Sequence, residues 1–361
     1  MKKVLNLFDF KQKVDYKTEI LAGLTVAMTM IPESLSFAIL AGFPPLVGLY
    51  ASFIMGLITA VLGGRPGLIS GGAGATTVVL IALMVSHGLE YVFGAVIIAG
   101  IIQIIVGLFK LGKFIRLVPQ PVMFGFVNGL AIIIFMSQLE QFKVRVGDNV
   151  EWITGTPFLI MAGLVALTIA IIVILPKFTK AIPSSLVAII VVFAIVYFFG
   201  IDTKQVVDIA SVSGTLPPFH IPDIPFTYEA FKTILPYGLI MAAVGLTEGL
   251  LTLNLVDEIT GTKGQSNREC VAQGTANIAN GFFFGMGGCP MIAQTLVNLS
   301  SGSRARLSGI IAAITILTII LVGAPVIELL PMAALVGVMI MVAFGTFEWA
   351  SFRVFTRMPK H

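Results

Sequence analysis

The sequence predicts an all-α polytopic membrane protein whose two halves form an inverted repeat. Of its 361 residues, 57% are hydrophobic and only 11% are charged, and the mean hydropathy is +1.01. A soluble chain carries roughly 25% charged residues, so most of this chain is expected to lie in lipid. A glycine-rich break interrupts each half, and three landmarks recur at nearly the same spacing along the chain.

The first half begins with an arm, residues 1–17, that contains five lysines and is expected to stay in the cytoplasm. The first inverted repeat then covers residues 18–200. Its apolar runs predict helices at about 18–40, 46–62, 91–108, 121–142, 157–175 and 184–199. Between the spans at 46–62 and 91–108 lies a glycine-rich segment, GGAGATTVVL at 71–80, that opens into a short third helix.

A polar, proline-rich loop at 201–233 is predicted to be extracytoplasmic and separates the two halves. The second repeat, residues 234–361, has apolar spans at about 235–255, 270–284 and 307–322, and the motif ELLP at 328–331 opens another. A polar loop is predicted from Asp257 to Glu269. The second glycine break, GGCPMIAQTL at 287–296, also opens into a short apolar helix.

Three landmarks indicate that the halves are true repeats. Glu33 precedes Glu248 by 215 residues, the glycine pair at 71–72 precedes that at 287–288 by 216, and the motif RLVP at 116–119 precedes ELLP by 212. Apolar helices resemble one another by composition alone. Similar composition does not explain why three landmarks recur in the same order and at nearly the same distance along the chain. An odd number of spans per half makes the repeats inverted, as in many secondary transporters.

The basic residues predict the orientation. With the N-terminus inside, only four of the 22 Lys and Arg residues fall outside the cytoplasm, namely Lys143, Arg145, Lys204 and Lys232. This bias follows the positive-inside rule. No cleavable signal peptide is indicated, and we expect a multi-pass protein of the plasma (inner) membrane.

The two breaks predict the binding site. Irregular backbone at membrane depth is tolerated where it lines a cavity, and a pair of interrupted segments marks a transporter's site. The N-terminus of each short helix offers unpaired N–H groups and a positive dipole end, which suit an anion. We therefore expect the two breaks to face each other at mid-membrane. The predicted substrate-binding residues are Ala73, Gly74, Ala75, Thr76, Cys289, Pro290, Met291, Ile292 and Gln294.

Two carboxylates stand inside predicted spans, Glu33 and Glu248. An ionisable residue there costs at least ~2.5–3.5 kcal/mol, so we interpret both as candidate ligands of a coupling cation, a proton or sodium. The alternative for Glu33 is that it caps its helix or reaches water. Apart from this ion we predict no resident cofactor and no metal site, because none of the histidines has a ligand partner at helical spacing.

Five segments carry a family resemblance: residues 31–50, IPESLSFAILAGFPPLVGLY, with GGRP at 63–66, LVP at 117–119, GFVNG at 125–129 and TGTK at 260–263. In these segments the chain resembles the SulP anion permeases, a family that includes sulfate permeases, bicarbonate transporters and prestin. It implies seven plus seven helices in inverted repeat. Helices 1–4 and 8–11 form a core domain, helices 5–7 and 12–14 form a gate domain, and the substrate lies between the starts of helices 3 and 10.

The repeat offset leaves the sixth and seventh spans without counterparts, so the second repeat is expected to be incomplete and the cytoplasmic STAS domain to be absent. We favour a truncated chain, with two further spans beyond His361. A homodimer is also expected.

The resemblance also bears on coupling. In bicarbonate transporters an Asp at the position of Glu248 helps to bind sodium, and Thr252 matches their Thr one turn later. Pro290 and Ile292, however, stand where that branch has the Gly and Thr of its sodium site, which counts against sodium. Glu33 stands where the animal branch usually has Gln, which favours protons.

Gln294 replaces an Arg typical of prestin's relatives. Without that Arg, a co-bound cation would offset the charge of the anion, which favours symport over exchange.

The sequence thus predicts a secondary active transporter of a small anion such as sulfate, bicarbonate or a dicarboxylate, coupled to protons and working by an elevator mechanism. Sodium-coupled bicarbonate symport, anion exchange and a channel remain alternatives. A nucleobase permease would need an acidic residue within 289–294, which contains none. No nucleophile–base constellation indicates an enzyme, and no nucleic-acid partner is expected.

Overall fold

The computed structural model describes residues 14–112, 120–146, 149–178, 184–208 and 214–349. The first half contains helices α1 to α7: α1 (Tyr16–Leu40), α2 (Pro45–Leu62), α3 (Gly74–His87), α4 (Leu89–Leu108), α5 (Gln120–Glu140), α6 (Thr156–Ile174) and α7 (Ser184–Phe199). The second half contains α8 (Tyr228–Thr260), α9 (Ser266–Phe282), α10 (Ile292–Ser300), α11 (Leu307–Val322), α12 (Ala324–Glu328) and α13 (Met332–Thr346). Most of the predicted cytoplasmic arm and the motif at 116–119 lie outside the described residues.

The two helices that follow the glycine breaks are short, although α7, α11 and α13 are also short, with 15 or 16 residues each. Within the described residues, five helices are long and apolar enough to cross a membrane: α1, α2, α4, α6 (with the turn that follows it) and α8. By contrast, α3 has 14 residues and α10 has nine. At 1.5 Å per residue these are about 21 and about 14 Å long, short of the ~30 Å hydrocarbon core. The predicted half-helices are confirmed.

The segments before the two short helices pair with each other. Strand β1 (Ser70–Gly71) runs antiparallel to β4 (Cys289–Pro290), with Ser70 opposite Pro290 and Gly71 opposite Cys289. The backbone N–H of Met291 extends the pairing by donating to the carbonyl oxygen of Ile69 over 2.9 Å. Antiparallel pairing of equivalent segments is what two inverted repeats produce, so the prediction that the breaks face each other is confirmed.

The chain forms two compact units. Residues 1–115 and 210–328 make the first, and residues 116–209 and 329–361 make the second. Among the described elements, the first unit contains α1–α4 and α8–α12, and the second contains α5–α7 and α13. The five-residue α12 is an extra short helix, and α13 is the predicted twelfth span. With that numbering, the division follows the core and gate domains that the family resemblance implies.

The second unit has an apolar core at the contact of α6, α7 and α13, where Val165, Val192 and Val336 are buried. A hairpin of β2 (Lys143–Val146) and β3 (Asn149–Trp152) joins α5 to α6. This short hairpin is an addition to the all-α prediction.

Two predicted boundaries in the second half need correction. Helix α8 continues to Thr260 instead of ending near Leu255, because Gly261 adopts the left-handed conformation (φ 67°) that terminates a helix readily. The predicted polar loop to Glu269 is therefore only a few residues long, and Glu269 lies in the first turn of α9. The motif at 328–331 opens the next span as predicted: Glu328 ends the short α12, and Pro331 is the N-cap of α13.

A buried ion pair ties the segment before β1 to the end of α8. The Nη1 atom of Arg65 lies 3.1 Å from Oδ1 of Asp257, and Arg65 is only 3% exposed. Arg65 also donates to the hydroxyls of Thr260 and Thr262. Burial lowers the pKa of the guanidinium, and the facing Asp257 carboxylate opposes that shift. This pair therefore anchors the approach to the first glycine break.

Replacing Arg65 with methionine is expected to destabilise the protein by about 3–5 kcal/mol, since Asp257 would be left as a buried and uncompensated charge. The measurement is denaturant unfolding of the purified protein in detergent. The double variant Arg65→Met/Asp257→Asn removes both charges and keeps an acceptor for the backbone N–H of Gly264, which Asp257 now binds at 2.9 Å. It should recover part of the loss, and equal stability of the single variant and the wild type would contradict this role.

Candidate functional site

All of the predicted site residues lie in the first unit, at or beside the two short helices. Ala73 is the N-cap of α3 and Met291 is the N-cap of α10, and neither side chain makes a capping hydrogen bond. Because the first N–H groups of a helix have no partner within it, both helix starts keep donors for a ligand. Gly74, Ala75 and Thr76 form the first turn of α3, Cys289 and Pro290 form β4, and Ile292 and Gln294 lie in the first turn of α10.

One of the predicted substrate-binding residues differs from the others in the exposure of its side chain. Ile292 is 38% exposed, whereas the other predicted substrate-binding residues are buried. The predicted substrate-binding set is thus brought together, with the side chain of Ile292 at its margin.

Glu33 reaches α10 through Gln294. The Nε2 atom of Gln294 donates to Oε2 of Glu33 over 2.5 Å, and its Oε1 atom accepts from the hydroxyl of Thr29 over 2.7 Å. Glu33 is 6% exposed. The alternative in which it reaches water or caps its own helix does not fit this burial and this partner. A neutral amide, instead of a cationic side chain, therefore stands beside the buried carboxylate.

Glu248 and Thr252 of α8 contact the second break. The thiol of Cys289 lies 3.2 Å from Oε2 of Glu248, which is only partly buried. The hydroxyl of Thr252 lies 2.7 Å from the carbonyl oxygen of Glu248 and 3.5 Å from that of Pro290. The two predicted carboxylates consequently approach the site from different helices, Glu33 from α1 and Glu248 from α8.

The structure adds two residues of α1 that sequence reasoning missed. A Cβ atom on Gly74 would lie 2.5 Å from Cζ of Phe37, so this ring covers the first residue of α3. Thr29 holds Gln294, as described above. Thr29, Glu33 and Phe37 are spaced by four residues and share one face of α1. The four-residue spacing could have identified Thr29 and Phe37 from the sequence, because Glu33 was already a candidate.

Side chains from neighbouring helices hold the two breaks in shape. The amide of Asn277 pairs with the backbone of Gly288, accepting from its N–H over 2.9 Å and donating to its carbonyl oxygen over 3.1 Å. The hydroxyl of Ser52 accepts from the N–H of Gly72 over 3.1 Å and also bonds Ser34 over 2.5 Å. Both contacts satisfy backbone groups that the irregular segments leave without helical partners.

The donor set at this site suits an anion. The open ends of two helices contribute N–H donors and positive dipole ends. Among the described residues, no group of three or more His, Cys, Asp or Glu side chains is placed to hold a metal ion.

Comparison with known proteins identifies the family. The model of the sulfate permease family matches residues 16–360, which is nearly the whole chain. The chain belongs to the sulfate permease family. The family resemblance and the inverted-repeat fold predicted from the sequence are both confirmed.

Relatives within the family are named for two anions. The chain is 45% identical over 356 residues to a Bacillus subtilis protein named "Putative sulfate transporter YbaR", covering 98% of this chain and 72% of that one. It is 32% identical over 352 residues to "Bicarbonate transporter BicA" of Picosynechococcus, covering 92% of this chain and 62% of that protein. The chain thus spans about two thirds of the length of such relatives.

Solved structures share the fold. The transmembrane domain of a cyanobacterial bicarbonate transporter BicA aligns with 98% of this chain and 93% of its own, at 30% identity and a TM-score of 0.82. SLC26A9 aligns with 96% of this chain and 61% of its own, at 17% identity and a TM-score of 0.78. A multi-pass membrane protein with the sulfate permease fold follows.

Proposed function

We propose that this chain is a secondary active transporter of a small inorganic or organic anion of the sulfate, bicarbonate or dicarboxylate class. One observation carries the proposal: two open helix starts are held together by the β1–β4 pairing in one compact unit. Backbone N–H groups and dipole ends at a water-poor site favour a negative charge and need no cationic side chain. The names of the sulfate and bicarbonate transporters similar to this chain agree with this assignment.

The function is tested by reconstituting the full-length protein into proteoliposomes. Uptake of labelled sulfate, bicarbonate, chloride, a dicarboxylate and a nucleobase is measured with and without proton or sodium gradients. We expect saturable uptake of at least one of these anions above protein-free liposomes. Absence of uptake for all of them, together with uptake of a nucleobase, would instead support a nucleobase permease of the same fold.

Protons are the proposed coupling ion, and Glu33 is their carrier. Burial away from water favours the neutral form of a carboxylate, and a protonated Glu33 would offset the charge of a bound anion. Sodium is the alternative, because Glu248, Thr252 and the carbonyl oxygen of Pro290 place oxygen atoms near one another on α8 and β4. Pro290 and Ile292 stand where the bicarbonate-transporter branch has the Gly and Thr of its sodium site, which counts against sodium.

An elevator movement is the proposed mechanism, in which the first unit carries the anion as a rigid body. The division of the chain into two compact units supports it, since every predicted site residue lies in the first of them. We further propose that the protein is a homodimer in the plasma membrane. The distribution of Lys and Arg supports a cytoplasmic N-terminus.

Glu248→Gln is expected to reduce anion uptake about tenfold or more at every pH, because the carboxylate that contacts Cys289 helps to orient the second break. Initial uptake rates in proteoliposomes between pH 5.5 and 8 provide the measurement. Glu258→Gln makes the same change at an exposed position of the same helix and should leave the rates unaltered. A Glu248→Gln protein with wild-type rates would remove Glu248 from the site.

A further inference from the structure

The proline-rich loop before α8 is fastened to the first unit by residues 219–224, which we call the outer strap. The backbone N–H of His220 donates to the carbonyl oxygen of Phe282, the last residue of α9, over 2.7 Å. The Nε2 atom of His220 lies 2.8 Å from Oε2 of Glu90, in the first turn of α4. The N–H of Asp223 donates to the same oxygen over 2.9 Å. Three hydrogen bonds therefore tie the outer strap to the ends of two helices.

The ring of His220 also contacts a residue with an unusual backbone conformation. Phe284 has φ 56°, in the left-handed region that bulky side chains rarely adopt. The centroid of its ring lies 4.7 Å from that of His220 and 5.2 Å from that of Phe93 on α4. Such a conformation persists only where the surrounding groups hold it. The rings of His220 and Phe93 are groups of this kind.

Phe284 lies directly before the second glycine break. Only residues 285–288 separate it from Cys289, the first residue of β4. So short a segment transmits a change in the backbone of Phe284 to the position at which the chain enters β4. The outer strap, through His220, therefore supports the second break from outside.

The contact between His220 and Glu90 responds to pH. Histidine is the side chain that changes its charge between about pH 5 and 8. An ionised carboxylate only accepts hydrogen bonds, so Nε2 donates in both charge states of the ring, but the bond from the imidazolium is the stronger one. Asp223 adds a second carboxylate on the outer strap itself, and α9 faces the strap with the uncharged rings of Phe282 and Phe283.

We propose that the outer strap is a pH-sensitive latch for the second glycine break. At acidic pH the imidazolium of His220 binds Glu90, holds Phe284 in its left-handed conformation and orders the chain that enters β4. As the pH rises and the ring loses its charge, the latch loosens. The strap belongs to the loop that is predicted to be extracytoplasmic, so the latch responds to the pH outside the cell. The inference concerns the order of the break and does not require the anion transport proposed above.

The test is hydrogen–deuterium exchange of the purified full-length protein in lipid nanodiscs at pH 5.5 and 7.5. Mass spectrometry follows peptides that cover 219–224 and 283–288, and the rates are corrected for the intrinsic effect of pH on exchange. His220 and Glu90 are both partly exposed, and ion pairs of this kind have modest strength. We expect both peptides of the wild type to exchange about two- to fivefold more slowly at pH 5.5 than at pH 7.5.

Three variants isolate the contact. Glu90→Gln keeps an acceptor for the N–H of Asp223 and leaves the ring of His220 in place, but it removes the charge that the imidazolium meets. His220→Phe keeps a ring beside Phe284 and removes the titrating group. We expect the pH effect to vanish from both peptides in each variant. His87→Gln removes an exposed histidine at the end of α3 and should keep the wild-type pH effect.

The outcomes separate the latch from the proposed function. Equal corrected rates at the two pH values in the wild type, or a pH effect that survives in either Glu90→Gln or His220→Phe, would overturn the latch. Loss of the effect in His87→Gln would assign it to the wrong histidine. A pH effect confined to 219–224 would overturn the action on the second break. None of these results bears on anion uptake, which the proteoliposome experiment decides independently.

Discussion

Glu33→Gln is expected to remove the pH dependence of anion uptake and the ability to concentrate the anion, while the anion still binds. Glutamine resembles the protonated carboxyl group, and it can still accept the hydrogen bond from Gln294 that Glu33 accepts at 2.5 Å. It cannot release a proton, so a proton gradient can no longer drive the anion. For one proton per monovalent anion, a gradient of one pH unit supports about tenfold accumulation in the wild type, and none is expected in the variant.

The measurement is uptake of the labelled anion into proteoliposomes with an acidic exterior, followed to the steady state. Wild-type uptake should rise as the external pH falls and should be indifferent to sodium. Glu229→Gln, an exposed position at the start of α8, is the matched control and should behave as the wild type does. Sodium-driven uptake, or undiminished accumulation by Glu33→Gln, would refute the proton assignment and leave anion transport intact.

Gly288→Ala is expected to abolish transport by breaking the pairing of the two glycine breaks. A Cβ atom at this position would overlap the backbone oxygen of Gly71, and this backbone atom has no rotamer by which to move away. The added methyl group must therefore separate β1 from β4. Overpacking of this kind costs roughly 1–3 kcal/mol or more, and it acts directly on the position of both helix starts.

Uptake rate and thermal stability of Gly288→Ala are measured in the same preparation. We expect uptake to fall at least tenfold even in the fraction that remains folded. Gly163→Ala provides the control, because a Cβ atom on this residue of α6 meets nothing within 4 Å and alanine is the better helix former. Wild-type uptake by Gly288→Ala would show that the anion site does not depend on the paired breaks.

Much of the fold could be predicted because its signals are local. Hydropathy places the long helices, and the bounds of α7 agree with the predicted span to the residue. The glycine breaks are visible because neither following run is long enough to cross a bilayer. The end of α8 was misplaced, since the polar residues after Leu255 remain helical until Gly261 and form contacts with Arg65 that no local pattern encodes.

The candidate site could be predicted only in outline. The open helix starts, Glu33 and Glu248 follow from spacing and charge. Their partners do not, because Gln294 lies 261 residues from Glu33 and 265 from Thr29. Asn277, which holds the backbone of Gly288, reads in the sequence as an ordinary polar residue of a helix.

The sequence by itself determined the membrane class, the inverted repeat, the two interrupted helices and the family, because these depend on composition, periodicity and order along the chain. The tertiary structure alone decided that Glu33 is bound by Gln294, that Cys289 contacts Glu248, and that Asn277 donates to Gln103. Each of these contacts joins different elements of the fold. It therefore depends on how the helices are rotated and packed, and a rotation of one residue, about 100° around the axis, would replace every partner.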